Sequence, residues 1–201
     1  MITSSKRLVV ACSIACLPGV LMGQCAFTVV PGGSMPDADN GVGASCQWDP
    51  DGSGPQPPVV VLGGRFRQLG NATARGIAAY DPATRDVSAL AGSLIAGEVT
   101  ALMVTSSNDI IAGGNFTAVG GVSANRIARW DGVSWHAIGG GLSYAVESLT
   151  QLPNGDLVAG GFAAGNPSVM RWDGVSWSAI GTVLTGRVLA LTVMPNGDLI
   201  A

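Results

Sequence analysis

The sequence predicts an all-β protein in which similar four-stranded antiparallel blades stack around an axis to form a β-propeller. The strongest observation is an internal repeat: RWDGVSWHAIG, at 129–139, returns as RWDGVSWSAIG at 171–181, with His136 replaced by Ser178. Self-similarity at a fixed period of about 20–50 residues is typical of repeat architectures. The composition agrees, because 30 glycines and only 11% charged residues suit short buried strands and tight turns better than long amphipathic helices.

One strand pattern recurs along the chain. Each copy has a first strand, a tight turn, an apolar second strand, a variable loop, a third strand and a fourth strand. The first strands look apolar on both faces, as at 99–104, so each sheet needs a neighbour on either side, which radial stacking supplies. We expect about three complete blades and a partial one in a truncated or open ring, at about 42–90, 98–139, 145–181 and 187–201.

Turn residues separate the strands. Asn-Gly pairs at 154–155 and 196–197 lie between apolar strands, and they predict type I′ turns with positive φ at both central residues. Ser107-Asn108 stands there in the second copy, and Asn tolerates the left-handed region. The second strands end in double glycines, which predict close backbone approach or a bulge; no helix pattern follows that would favour a phosphate cradle.

The N-terminal segment predicts export. Residues 1–24 have a basic start at Lys6-Arg7, an apolar run at 8–22 and small residues near 23–25, which is the pattern of a cleavable signal peptide. Pro18-Gly19 interrupts the apolar run, which favours cleavage over a retained membrane anchor. We expect a secreted, periplasmic or cell-surface protein with no stable membrane insertion after cleavage.

Two further expectations concern the ends of the mature chain. Residues 25–33 look like an isolated copy of a fourth strand that could close the last blade of a ring. The chain stops at Ala201, where the repeat register expects the next Gly-Gly. We therefore expect that the sequence is a fragment of a longer protein.

The cysteines allow one disulfide. Cys12 and Cys16 lie in the predicted signal peptide, which leaves Cys25 and Cys46. An oxidising compartment permits these two to pair if cleavage falls before Cys25. If cleavage falls after Cys25, Cys46 remains as a lone buried thiol.

The residues that recur in each copy resemble those of a known repeat. An apolar strand ending in Gly-Gly, then Tyr-Asp or Trp-Asp, then a Trp before Ile-Gly, is similar to the kelch-type β-propeller repeat of secreted bacterial proteins, over about residues 25–201. The resemblance implies rings of blades that mostly bind other molecules, although a few carry enzymes. Val87 departs from it, because the first copy has no second Trp, and the third copy has a shorter loop. The signature residues are Gly63, Gly64, Tyr80, Asp81, Gly113, Gly114, Trp130, Asp131, Trp135, Gly160, Gly161, Trp172, Asp173 and Trp177.

The signature side chains are expected to be structural. The tryptophans recur at one phase of consecutive copies, which favours packing between blades over sugar platforms. The aspartates precede Pro or Gly, which favours turn capping over ligand contact.

One loop has metal-like spacing. Asp49, Asp51 and the Ser53 hydroxyl offer oxygens at alternate positions, as calcium prefers, but no Glu closes the loop. Calcium is therefore a candidate ligand of these three residues, and no other cofactor is expected.

Composition and motifs narrow the function. The net charge is −3 and no basic cluster exceeds Lys6-Arg7, so nucleic acid is not an expected partner. His136 is the only histidine, which excludes a His-rich metal site. It is replaced by Ser178 in the next copy and is expected to be an exposed strand residue, so no Ser/His/Asp set is expected either.

We therefore expect a secreted, non-enzymatic module. It would recognise a carbohydrate, a protein or a cell-surface partner through the loops after Gly-Gly, at 67–75, 117–124 and 163–167. The alternatives are a fragment of an extracellular hydrolase or lyase whose catalytic residues lie beyond residue 201, and a structural surface repeat protein.

Overall fold

The computed structural model describes residues 38–90, 95–162, 168–181 and 186–201. Within these ranges the chain forms strands and turns and no helix. The first repeat contributes β1 (Val42–Trp48), β2 (Val59–Gly64), β3 (Gln68–Leu69), β4 (Ala72–Thr73), β5 (Ile77–Tyr80) and β6 (Val87–Ser88). The second contributes β7 (Gly97–Val104), β8 (Ile110–Phe116), β9 (Ala118–Val119), β10 (Val122–Ser123), β11 (Ile127–Trp130) and β12 (Trp135–Ala137). The remainder forms β13 (Val146–Gln151), β14 (Leu157–Gly161), β15 (Val169–Trp172), β16 (Trp177–Ala179), β17 (Thr192–Val193) and β18 (Leu199–Ile200).

These strands build three four-stranded antiparallel sheets and part of a fourth. The sheet orders are β1-β2-β5-β6, β7-β8-β11-β12 and β13-β14-β15-β16, and β17 pairs with β18. We call these sheets blades 1 to 4 in chain order. The short hairpins β3-β4 and β9-β10 lie in the loops between the second and third strands of blades 1 and 2. The predicted all-β architecture of four-stranded blades with a partial last blade is confirmed.

The first strands of consecutive blades lie next to each other. β7 lies between β1 and β13, and β13 also contacts β17. Each first strand begins its blade at the edge of the sheet, so the blades pack face to face with these strands on the inside. This is the arrangement that a propeller requires.

Both faces of a blade are buried, as the apolar strands predicted. Along β8, Ile110 and Ala112 pack in the cluster with blade 1, whereas Ile111 packs in the cluster with blade 3. Successive side chains of a strand point to opposite faces of the sheet, so one apolar strand supplies two interfaces.

The turns between first and second strands are not of type I′. Gly155 has φ +93° but Asn154 lies outside the positive-φ set, and the Gly155 amide donates to the Leu152 carbonyl at 2.9 Å. One left-handed residue after a tight turn is a Gly-bulge hairpin, so the sequence expectation was wrong about the turn type. Asn108, with φ +66°, takes the Gly155 position in blade 2, as its tolerance of the left-handed region predicts.

The two glycines of each pair have different neighbours. A Cβ on Gly113 would lie 2.5 Å from Val146 Cγ1 of the next blade, and Gly63 meets Val99 in the same way. A Cβ on the second glycine of each pair would collide with backbone at the start of the first strand of the same blade. The register of that strand shifts at this point. The first glycine therefore allows blades to approach, and the second lies opposite a bulge.

Replacing Gly113 by Ala is expected to destabilise the protein by about 1–3 kcal/mol, because the added methyl group overpacks the interface between blades 2 and 3. Denaturant unfolding followed by tryptophan fluorescence measures the change. Gly140→Ala is the matched control, since no atom lies within 4 Å of its Cβ position, and it should stay within about 0.5 kcal/mol. Equal stability of the two variants would contradict close blade packing at Gly113.

Candidate functional site

The antiparallel order of the strands gives the stacked blades two different ends. The connections after the double glycines and the starts of the first strands lie at one end, which we call the Gly-Gly face. The tight turns between first and second strands, and the Asp turns between third and fourth strands, lie at the other end, which we call the turn face. The predicted binding loops at 67–75 and 117–124 therefore lie on the Gly-Gly face.

The connections at 65–76 and 115–126, the Gly-Gly loops of blades 1 and 2, share one scaffold. The Gly76 amide donates to the Phe66 carbonyl at 2.9 Å, and the Arg126 amide donates to the Phe116 carbonyl at the same distance. Both closing residues have positive φ, +77° at Gly76 and +66° at Arg126. Each loop buries three side chains at matching positions, namely Phe66, Leu69 and Ala74 or Phe116, Val119 and Ala124. The corresponding segment of blade 3, at 163–167, lies outside the described residues.

The exposed side chains of the two loops differ in charge. Blade 1 has arginines where blade 2 has short neutral side chains: Arg65 against Asn115, Arg67 against Thr117, and Arg75 against Asn125. The closing backbone bonds are the same and the buried residues occupy matching positions, so this loop scaffold forms in blade 2 without arginines at these three positions.

A cleft of about 500 Å³ lies beside the Gly-Gly loop of blade 1. Its walls come from that loop, from the segment before β1, and from the segment that leads into β7 of the next blade. The lining residues are Asp39, Asn40, Arg65, Phe66, Arg67, Arg75, Gly76, Ile95 and Gly97.

The Asp39 carboxylate binds the backbone of the loop that lines this cleft. Its Oδ1 accepts hydrogen bonds from the amides of Arg67 at 2.7 Å and Gln68 at 3.0 Å. These bonds, that of Gln68 first, lower the pKa of the Asp39 carboxyl. In blade 2 the Thr117 amide instead donates to the Ala96 carbonyl at 3.3 Å. Asp39 thus holds the backbone that carries Arg67.

The three arginines of the cleft differ in their partners. Arg65 Nε lies 3.6 Å from Glu98 Oε2 of blade 2; the Arg65 side chain is largely exposed and that of Glu98 is half-buried. Within the described residues, the guanidinium groups of Arg67 and Arg75 have no hydrogen bond or ion pair. Two cationic groups on this face are therefore open to a ligand.

The aspartates of the repeat signature lie on the turn face and close turns. Asp131 Oδ1 accepts the amides of Val133 at 2.9 Å and Ser134 at 2.8 Å, and Asp173 accepts the equivalent pair. Asp81 accepts the amide of Ala83 at 2.8 Å. Backbone hydrogen bonds are the first cause that lowers the pKa of each of these carboxyls, and a bond from His136 adds to it at Asp131.

The signature tryptophans pair across the third and fourth strands. Trp130 faces Trp135 and Trp172 faces Trp177, each pair with ring centroids 5.4 Å apart. Trp130 and Trp135 are buried in the cluster between blades 1 and 2, and Trp172 and Trp177 are half-buried in the cluster between blades 2 and 3. All four rings therefore pack between blades.

Two ion pairs at the turn face were not predicted from the sequence. Asp109 and Arg129 are joined at 3.1 Å in blade 2, and Asp156 and Arg171 at 2.5 Å in blade 3. The signal was available, because the Asp after the tight turn and the Arg before Trp-Asp recur together in both copies. Blade 1 has neither residue, since Val59 and Ala79 stand in those positions.

The calcium candidates lie in an exposed loop of the turn face. Asp49 Oδ1 accepts the Asp51 amide at 3.3 Å, and Asp51 Oδ2 accepts the Gln56 amide at 3.0 Å. Ser53 is exposed in the same loop. Across the described ranges, no group of three or more His, Cys, Asp or Glu side chains is placed to hold a metal ion. Calcium binding stays a prediction.

Cys46 lies on β1 and packs against the cluster between blades 1 and 2. Burial raises the pKa of its thiol to about 12. Cys25 lies outside the described residues, as do the signal peptide at 1–24 and the closing strand at 25–33. The disulfide and both segments therefore stay predictions.

The blades, their stacking and the Gly-Gly loops define a β-propeller domain. The family model of the Rax2 C-terminal beta propeller domain matches residues 54–196, which is more than half of the chain. The chain belongs to this family.

One solved structure is also similar to this chain. A solved structure of the extracellular domain of a protein described as a one-component system of B. thetaiotaomicron is similar at a TM-score of 0.45 and 13% identity. The match covers 70% of this chain and 18% of that chain. Among curated proteins, no sequence matches. No helix in the described part of the chain is long and apolar enough to cross a membrane.

The Asp turns predict loss of stability in acid. Their folded-state pKa values lie below the ordinary 3.8, so their contribution is present above about pH 4 and is lost as the pH falls through the folded values. The melting temperature should therefore be level from about pH 7 to 5 and fall below about pH 4. The variant D131N/D173N keeps an oxygen acceptor but cannot titrate there, so its melting temperature should fall less in acid.

Asp86→Asn is the control for the Asp turns, because it removes an exposed acid of the same face whose carboxylate accepts no hydrogen bond among the described residues. It should keep the full acid dependence. The explanation would be wrong if D131N/D173N and D86N followed the same curve as the parent protein.

Cys46 should resist thiol reagents in the folded protein, because the thiolate is the reactive form and burial disfavours it. The test uses a variant in which the other three cysteines are serine, labelled with a chromogenic disulfide reagent at about pH 8. At this pH an exposed thiol, with its pKa near 8.5, is partly ionised. We expect slow labelling in buffer and rapid labelling in guanidinium chloride. Rapid labelling of the native variant would contradict the burial of this thiol.

Proposed function

We propose that this chain is an exported binding module of the kelch type, without catalytic activity, that recognises a carbohydrate, protein or cell-surface partner through its Gly-Gly face. The proposal needs no cofactor. Calcium in the loop of Asp49 and Asp51 would affect stability at the turn face, away from the proposed contacts.

The supporting observation is the shared scaffold of the Gly-Gly loops of blades 1 and 2. The same closing backbone bonds and matched buried positions present different exposed side chains in the two blades. A rigid framework with variable surface positions is how loops on stable scaffolds acquire binding specificity. The turn face has the opposite character, because its repeated aspartates are engaged by their own turns.

The local chemistry of His136 supports a binding role over catalysis. Its Nε2 lies 2.6 Å from Asp131 Oδ2 and 3.0 Å from Ser134 Oγ, so both groups contact the same ring nitrogen. In a Ser-His-Asp triad the nucleophile and the acid contact different nitrogens. The carboxylate of Asp131 is also held by two backbone amides of the turn.

The kelch assignment and the export are parts of the same proposal. The double glycines, the Asp turns and the Trp pairs support the kelch assignment, and the family of the chain is one of propeller domains. The basic and apolar pattern of residues 1–24 supports passage across a membrane before folding.

A glycan array and a panel of intact cells, probed with the purified protein, test the function. Binding should decrease in N115A/T117A and in Q68A/N71A, which alter exposed side chains of the two Gly-Gly loops. It should be unchanged in V133S/V175S, which alters exposed side chains of the turn face, 81% and 84% accessible. Binding that survives the loop variants and is lost in V133S/V175S would overturn the proposal.

A further inference from the structure

We propose that the cleft of blade 1 binds an anionic polysaccharide, with Arg65, Arg67 and Arg75 contacting its carboxylate or sulfate groups. This inference rests on the proposed function and names the ligand class for one of its loops. It applies to the cleft between the Gly-Gly loop of blade 1 and the start of blade 2.

The first argument is the comparison of two loops within one chain. Blade 2 forms a loop of the same length with the same closing backbone bonds, using Asn115, Thr117 and Asn125 in place of the three arginines. The cations are therefore not part of the folding requirement, and their arrangement around one cleft needs another reason. Arginine presents a planar set of donors that matches the oxygens of carboxylate and sulfate groups.

The second argument is the state of the guanidinium groups. Those of Arg67 and Arg75 make no hydrogen bond or ion pair within the described residues, although the charge of Arg67 is one of the causes that lower the pKa of Asp39. The Arg65 contact to Glu98 is long, and the Arg65 side chain is largely exposed. The adjacent Asp39 carboxylate is occupied by the backbone amides of Arg67 and Gln68. An arriving anion would therefore find donors that do not have to break a strong internal ion pair.

The third argument is the distribution of charge over the two faces. The Gly-Gly face has the arginines Arg65, Arg67, Arg75, Arg126 and Arg187 against the acids Asp39, Glu98 and Glu147. The turn face has Arg85, Arg129 and Arg171 against Asp49, Asp51, Asp81, Asp86, Asp109, Asp131, Asp156, Asp173 and Asp198. An approaching polyanion is repelled by the turn face and is steered to the Gly-Gly face.

The surface of the cleft favours a polysaccharide over an acidic peptide. The apolar side chains that line it, Phe66 and Ile95, are buried, with 1% and 8% of their surface accessible. They offer no open pocket for the apolar or aromatic anchor that dominates most protein interfaces. Nucleic acid is disfavoured because it requires many phosphate contacts over an extended basic surface, and Asp39 and Glu98 interrupt this one.

The experiment measures binding of the full chain by calorimetry to four probes: oligogalacturonate for carboxylates, heparin oligosaccharide for sulfates, dextran as a neutral polymer, and poly-glutamate as an acidic peptide. We expect binding to at least one of the two acidic polysaccharides and none to dextran. The affinity should fall as salt is raised, because exposed charges are screened. Preference between the first two probes identifies the anionic group.

The matched variant is R65N/R67T/R75N, which gives blade 1 the exposed residues of blade 2. It should keep the melting temperature of the parent protein and should lose at least about tenfold in affinity, as expected when charge-assisted hydrogen bonds are removed. Arg85→Asn removes an arginine of the turn face at φ +67°, a conformation that Asn tolerates, and should bind as the parent does.

Three results would overturn the inference. The first is the absence of binding to both acidic polysaccharides, and the second is binding that the triple variant retains. The third is stronger binding to poly-glutamate than to either polysaccharide, which would identify a peptide partner. None of these results would by itself overturn the binding role of the Gly-Gly face, which N115A/T117A and V133S/V175S test separately.

Discussion

The structure depends on how closely consecutive blades can approach at the first glycine of each pair. Val99, Val146 and Val188 each pack against the backbone of the preceding blade, in the space that a Cβ on Gly63, Gly113 or Gly160 would fill. This contact places the first strands side by side and buries both faces of strands such as β8. A repeat protein of this kind has no single central core, so each blade is stabilised mainly by its neighbours.

The turn face and the Gly-Gly face differ in what holds their residues in place. On the turn face, Asp81, Asp131 and Asp173 are bound by amides of their own turns, and Asp109 and Asp156 pair with arginines of the same blade. These carboxylates therefore have partners within their own blade. On the Gly-Gly face, the loops are held by backbone bonds and by a few buried side chains, so their exposed positions can change without altering the fold.

Equivalent residues of the repeat differ in burial between neighbouring blades. The Trp pairs of blades 2 and 3 have the same ring geometry, but only Trp130 and Trp135 are fully buried. Trp48, at the end of β1, belongs to the cluster of that pair, and Thr105, directly after β7, stands in the equivalent position of blade 2. Burial therefore depends on the preceding blade, whereas the pairing of the rings depends on the blade itself.

The sequence by itself determined the strand pattern, the blades and the roles of the double glycines, because these follow from local periodicity and from short-range steric limits. It failed at the Asn-Gly turns, where the expected type I′ geometry gave way to a turn with one left-handed residue, and it did not reveal the Asp–Arg pairs. Only the tertiary structure decided where the cleft of blade 1 lies. Asp39, Arg67 and Gly97 are far apart along the chain, and they meet only because one blade stacks against the next.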